Sequence, residues 1–151
     1  MSIVVTLTPP EIMLAANAGV MRRVENIKQG YTHKYNAPEN LPAWEWAIEG
    51  CIAEYVVSKY LRLFWKGKGV QNTPDLANGD DVRMSPIRTN RLIIHRNDPD
   101  DRHFWFVTGS EFKYEVHGRI LGADAKRAEW WDEPIKGRPA FFVPSTYLTF
   151  P

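Results

Sequence analysis

The sequence predicts an α+β fold, and three observations predict it. Long helical periodicity is confined to the part of the chain before Trp65. Short strand-like runs separated by turn residues fill most of the remainder, and one brief helical pattern follows Gly122. The order of helices, then strands, then a late short helix is that of an α+β domain. With 151 residues, 44% of them hydrophobic and 25% charged, the chain is long enough to bury a core of its own. A single domain over 1–151 is therefore expected, without repeats or interdomain linkers.

The elements follow in order. Ile3 to Leu7 reads as a short strand or extended arm. Thr8-Pro9-Pro10-Glu11 sets a capping hydroxyl, two first-turn prolines and a carboxylate three residues on, which is a capping box. Ile12, Ala16, Gly19, Val20, Val24 and Ile27 then recur at helical spacing, so a helix is expected from Pro9 to Lys28, stopped by Gly30. Residues 31–42 read as a loop in which two tyrosines and a histidine are candidates to line a site. A second helix is expected from Pro42 to Trp65, with Trp44, Ile48, Ile52, Val56 and Leu63 on its apolar face. A second stripe, Ala47, Gly50, Cys51, Glu54 and Ser58, is built of small residues that let another element come close. Glu54 is its only charge, and its carboxylate is expected to point into the protein or to pair with Lys59 or Arg62. Strands are expected at Val82–Met84, Arg91–Arg96, His103–Thr108 and Lys113–Leu121, with antiparallel hairpins between them. Gly118 inside a strand pattern signals a bulge or a close backbone approach. Gly122 to Trp131 reads as a short helix, and Ala140–Val143 as a last strand.

Composition excludes several function classes. A formal net charge of +1 argues against a histone-like binder but leaves local basic patches open. Cys51 is the single cysteine, so one chain holds no disulfide, and the four histidines lack zinc-site spacing. Residues 2–7 are apolar but too short for a signal peptide, and no apolar run approaches the ~20 residues that span a bilayer. A cytoplasmic protein with no membrane partner is expected.

The chemistry concentrates between Pro74 and Asp98. Asp75, Asp80 and Asp81 crowd a glycine-containing turn that runs straight into a strand with Asp81-Val82-Arg83. Like charges this dense are unfavourable without a positive partner, and a hard divalent cation is the usual one. Asp, Asn and Gly are also ordinary turn residues, and a solvated acidic turn is the commoner meaning of such a stretch. Upstream, Arg62, Lys66 and Lys68 flank Gly67 and Gly69 with no acid before Asp75, which makes this segment the best candidate for a phosphate-contacting edge.

Taken together, Gly50-Cys-Ile-Ala-Glu54 on a helix, then Pro74-Asp75, then Asp81-Val82-Arg83 on a strand resemble the PD-(D/E)xK nuclease superfamily. Tyr114-Glu-Val-His-Gly-Arg-Ile-Leu-Gly and the tail Arg138-Pro-Ala-Phe-Phe-Val-Pro are similar to the endings of small phage-encoded members. The likeness covers residues 42–148, so that 42–151 would be the nuclease-like core and 1–41 an addition. It implies a restriction-endonuclease-like fold, with N-terminal helices packed on a central mixed β-sheet and a late short helix. It implies a metal-dependent DNA nuclease using Mg²⁺ or Mn²⁺ held by Glu54, Asp75 and Asp81, with Arg83 in the family's lysine position, and it leaves a homodimer open. Two departures stand out. The gap from Asp75 to Asp81 is short, which leaves Asp80 as an alternative ligand. Arginine also stays protonated, so Arg83 can stabilise charge but cannot act as a base. A non-catalytic nucleic-acid- or protein-binding module of the same fold is the alternative expectation.

Overall fold

The capping box, the two prolines and the apolar spacing place the first helix where local signals put it. In a computed structural model that describes residues 1–30, 42–67 and 73–151, α1 spans Pro9–Lys28, preceded by strand β1, Ile3–Thr6. Thr8 N donates to Glu11 Oε1 at 2.8 Å while Thr8 Oγ1 accepts from Glu11 N at 3.4 Å. Glu11 also accepts from Lys59 Nζ at 2.9 Å and Tyr55 Oη at 3.0 Å. Burial opposes its ionisation, but these donors, led by the Thr8 backbone, hold its carboxyl down at about 2.

The buried face of α1 keeps Ile12 and Gly19 of the expected stripe and leaves out its C-terminal half. Ala15 and Gly19 are buried, whereas Val24 and Ile27 are half exposed. The reason is a close helix crossing: a Cβ on Gly19 would lie 2.5 Å from Ile48 Cα and 2.6 Å from the Ala47 carbonyl oxygen. The smallest residue on α1, not its largest apolar ones, therefore faces the second helix. That helix, α2, spans Ala43–Leu61, shorter than the expected Pro42–Trp65. Arg62 ends it in the left-handed conformation at φ 56°, so Leu63 to Trp65 belong to the following segment. Cys51, Ile52, Ala53, Glu54, Val56 and Val57 are all buried, because α2 lies between α1 and the sheet.

The strands form two sheets instead of one meander. Strands β2 (Asp81–Ser85), β4 (His103–Ser110) and β5 (Lys113–Leu121) join β1 in a mixed sheet ordered β1-β5-β4-β2. β4 and β5 are an antiparallel hairpin and β1 pairs antiparallel with β5, but β2 runs parallel to β4, with Asp81 opposite Phe104. The expected antiparallel link from β2 onward fails because the intervening β3 (Leu92–Ile94) leaves this sheet. It pairs instead with β7 (Ala140–Val143), which also pairs with the two-residue β6 (Trp131–Asp132). The late helix is likewise divided: α3 covers only Gly122–Ala125, and Ala128–Trp130 form a single 3-10 turn.

The larger sheet has apolar side chains on both faces, as alternation along β4 requires. Trp105 and Val107 pack with Val56 and Val57 of α2, whereas Phe104 and Phe106 pack with Leu92, Ile94 and Phe141 of the smaller sheet. The layers are thus helices, mixed sheet, small sheet. Gly118 behaves as its pattern predicts. The β4–β5 register shifts beside it, and at φ 114° a Cβ there would lie 2.8 Å from the Thr149 carbonyl oxygen. Thr149 and Arg119 exchange backbone hydrogen bonds, so the C-terminal segment closes over this bulge. Trp130 is buried and Trp131 is half-buried beneath Arg96, so neither tryptophan is a freely exposed surface ring. Among the described residues no helix is long and apolar enough to cross a membrane.

Candidate functional site

The turn before β2 is closed by its own carboxylates. Asp75 N donates to Asp81 Oδ1 at 3.1 Å, and Val82 N donates to Asp75 Oδ2 at 2.9 Å. Leu76, fully buried, plugs the turn into the core, and its N–H bonds the Asp80 carbonyl at 3.0 Å. Asn78 completes the loop by accepting from Asp80 N at 3.1 Å. Asp75 and Asp81 are thereby fixed side by side at the start of an edge strand.

Helix α2 brings Glu54 to the same place. Its carboxylate is buried and is gripped by Arg22 of α1 through two parallel hydrogen bonds, both 2.6 Å, Nη1 to Oε1 and Nη2 to Oε2. Arg22 Nη2 also donates to the Gly67 carbonyl at 2.9 Å, tying the segment after α2 to the same guanidinium. Neither Lys59 nor Arg62, the expected partners, reaches Glu54: Lys59 holds Glu11, and Arg62 caps the helix. Glu49, on the same helix, is half-buried, and burial pushes its carboxyl upward.

Asp75 feels the result. Burial first, and then the neighbouring charges of Glu54 and Asp81, push its carboxyl up to about 7, against a smaller opposing effect of the Val82 N–H and Arg83. The three acids named from the sequence do converge. They converge, however, with two of the three, Glu54 and Asp81, already paired to arginines. Arg102, at the entrance to β4, donates to Asp81 Oδ2 at 3.0 Å. Within the described residues five of the six oxygens of Glu54, Asp75 and Asp81 accept a hydrogen bond, and only Asp75 Oδ1 is left over. A hard divalent cation needs several open oxygens, so this donor set does not fit one as it stands. Among the described residues no group of three or more His, Cys, Asp or Glu is disposed to hold a metal.

Arg83 points elsewhere. Its Nη2 donates to Asp98 Oδ1 at 2.9 Å, and its guanidinium lies over the Phe104 ring at 5.2 Å. Asp98 in turn accepts from the His95 backbone N–H at 2.7 Å. Asp80 is not part of the acid triad either: its Oδ2 accepts from Trp105 Nε1 at 2.8 Å and Arg119 Nη1 at 2.9 Å on the helix side of the sheet. That carboxylate satisfies the indole of a fully buried tryptophan, a structural task. His117 is likewise committed, sharing a hydrogen bond of 2.7 Å with Thr108 in the core.

At the basic edge, Arg62 and Lys66 are exposed, and Lys66 Nζ donates to the Pro74 carbonyl at 2.9 Å, next to Asp75. Lys68 lies outside the described residues, as do the tyrosines and histidine of 31–41. Sequence reasoning missed Arg22 and Arg102, the two residues that set the charge of the site. Arg22 was visible only as one of several cations near the end of α1. Comparison with family models, curated proteins and solved structures finds no match to this chain.

Proposed function

We propose that this chain is a nucleic-acid-binding module of restriction-endonuclease-like type, in which arginines hold the acid cluster that a PD-(D/E)xK nuclease would give to a cation. The observation that carries this reading is the two-pronged grip of Arg22 on Glu54, with Arg102 on Asp81 beside it. Glu54 and Asp81 are thus paired without metal, and Arg83, which cannot serve as a base, is engaged by Asp98. Exposed Arg62 and Lys66 lie on the segment that Arg22 and Pro74 anchor, and they supply the phosphate contacts. DNA is the expected partner. The test is binding of single- and double-stranded DNA across a salt series, with and without EDTA. Binding that weakens with salt and ignores EDTA is expected; DNA cleavage with Mg²⁺ or Mn²⁺ that EDTA abolishes overturns the reading.

One observation favours a second reading, a Mg²⁺- or Mn²⁺-dependent deoxyribonuclease. Burial first, and then the charges of Glu54 and Asp81, push the Asp75 carboxyl up to about 7, and a cation would relieve the repulsion among the three. This reading requires Arg22 and Arg102 to let go of their carboxylates. Cleavage lost in both Asp81→Ala and the more conservative Asp81→Asn, each still folded by circular dichroism, would establish it.

A further inference from the structure

Helix α1 is apolar on two sides, and the fold uses one of them. Ile12, Ala15 and Gly19 face inward, toward the core and α2. On the other side Met13, Leu14, Val20, Met21, Val24 and Ile27 stay open to solvent, from 36% exposed at Val20 to 65% at Met13. At about 3.6 residues per turn these six share one arc of roughly 140°, turned away from the buried side. A helix that is apolar all round ordinarily has neighbours all round. Six side chains open by about half make an apolar patch on the order of 500 Å², the scale of a functional patch and not of scattered surface residues.

The order within the arc points to the occupant. Met13, Asn17, Val20, Val24 and Ile27 follow one another at intervals of four, three, four and three residues. That is the a/d spacing of helices that pack knobs into holes against copies of themselves. Asn17, exposed like its neighbours, is the polar member of this seam. A lone asparagine at such a position costs stability and fixes register and strand number, a role without use on a surface that meets only water. Leu14 and Met21 widen the seam on one side. The other margin is Ala16 and Arg23, with half-exposed Trp44 of α2 under the guanidinium.

We propose that the open face of α1 is the seam of an antiparallel homodimer, in which each α1 lies between its own α2 and the α1 of a second copy. Charge and length choose the orientation. In a parallel pair Arg23 of one copy meets Lys28 of the other, like charges at the g and e positions that face each other across the seam. Antiparallel packing separates them and opposes the helix dipoles. It also uses the whole helix. With Pro9 of one copy level with Lys28 of the other, Met13 falls opposite Val24, and Asn17 opposite Val20. The two-fold axis then passes through the middle of α1, with the two asparagines in neighbouring layers on either side of it. Two such patches bury on the order of 1,000 Å² together, the lower bound for a specific interface, so a dissociation constant of about 1–10 µM is expected. The dimer is independent of the nucleic-acid-binding reading, whose cations Arg62 and Lys66 follow α2.

The test is sedimentation velocity of the full chain over a range of about 1–200 µM, which brackets the expected constant. The wild type is expected to pass from one chain mass, 17.4 kDa, to twice that value. Val20→Glu and Val24→Glu each set carboxylates into the seam at positions that are open in the single chain, so folding is kept, as circular dichroism checks. Each is expected to raise the dissociation constant by at least about a hundredfold. Ile87→Glu, at a comparably exposed apolar position in the turn after β2, is the control and leaves association unchanged. A spin label on Lys28→Cys reads the orientation: about 30 Å between labels in the antiparallel pair, from a rise of about 1.5 Å per residue along α1, against about 10 Å in a parallel one. Cys51 is fully buried and does not compete for the label. A chain that stays monomeric throughout the range, a dimer indifferent to both seam variants, or labels about 10 Å apart overturns the proposal.

Discussion

Replacing Arg22 by methionine keeps the length of the side chain and removes the guanidinium. Glu54, whose side chain is 5% exposed, would then lie unpaired next to Asp75. Removing one partner of a buried ion pair destabilises by about 3–5 kcal/mol. Two features of this site lower that figure: the Arg22 side chain is 22% exposed, so water enters on its side, and Glu54 can take up a proton. The loss expected at pH 8 is therefore about 2–4 kcal/mol, and it shrinks at pH 5, where protonating the orphaned carboxylate is easier. The double variant Arg22→Met/Glu54→Leu leaves no buried charge and is expected within about 1–2 kcal/mol of wild type. Urea denaturation of wild type, Arg22→Met, Glu54→Leu and the double variant at both pH values measures this, read from midpoints at constant slope. A single variant within about 0.5 kcal/mol of wild type at pH 8 would refute the reasoning, because surface pairs behave that way and buried ones do not. So would a double variant as unstable as the sum of its parts. The same single variant bears on function. If Arg22 stands in for a cation, Arg22→Met frees both Glu54 oxygens, and Mn²⁺ should bind the variant more tightly than the wild type by calorimetry.

Further perturbations test the surrounding structure. Gly19→Ala forces a methyl into the Ile48 backbone and is expected to lose about 1–3 kcal/mol by overpacking, read by thermal unfolding; a neutral result would mean that the helices are free to separate. Asp80→Ala strands the Trp105 indole N–H and unpairs Arg119, for a loss of about 2–4 kcal/mol and an altered tryptophan emission; unchanged stability would place that carboxylate outside the core network. Asp75 sets a pH dependence whose sign can be worked out. Its carboxyl rises from 3.8 to about 7 on folding, so the native state binds the extra proton between those values. Stability from this group is then greatest below 3.8, falls as pH rises toward 7, and is flat above. Asp75→Asn should remove that slope and be the more stable protein above pH 7, by a margin on the order of 2 kcal/mol. Parallel wild-type and variant curves from pH 4 to 8 would show that Asp75 titrates normally. Glu11 works in the opposite sense: held at about 2, it stabilises above its ordinary value of 4.5, and that contribution disappears as the pH falls through 2. Glu11→Gln should therefore lower the melting temperature at pH 7 and not at pH 1.5.

What the sequence shows about this fold follows the range of the interaction that fixes each part. The bounds of α1 are legible because the capping hydroxyl, the prolines and Glu11 lie within one turn of its start. The bulge at Gly118 is legible for a similar reason, since glycine inside a strand advertises a conformation that other residues resist. The face that α1 buries is legible only in part. Its apolar periodicity includes Ile12 and Gly19, which do pack inward, but also Val24 and Ile27, which do not; the crossing with α2 is centred on the glycine, and a preference for close approach is a property of two helices together. The parallel pairing of β2 with β4 is hidden in the same way. Short spacing between strands predicts hairpins only if each strand stays in the sheet of its predecessor, and β3 leaves to pair with β7 some fifty residues later in the chain.

The candidate site divides along the same line, and the division decides how its motif should be read. Asp75 and Asp81 sit close in sequence, and their mutual approach is dictated by the turn they close. Glu54 could be expected to point inward because its neighbours on α2 are small. The charge that meets it comes from Arg22, 32 residues earlier, and the charge that meets Asp81 comes from Arg102, 21 residues later. A pattern of acids thus states where negative charge will gather and leaves open what will neutralise it. A cation and an arginine are equally good answers to the electrostatics of three carboxylates, but they differ in chemistry. A metal brings exchangeable ligand positions and can lower the pKa of a bound water, whereas a guanidinium in a two-pronged pair is coordinatively finished. The same three acids therefore describe a catalytic centre or a structural anchor according to residues the motif does not contain. Here those residues are Arg22 and Arg102, and they favour the anchor.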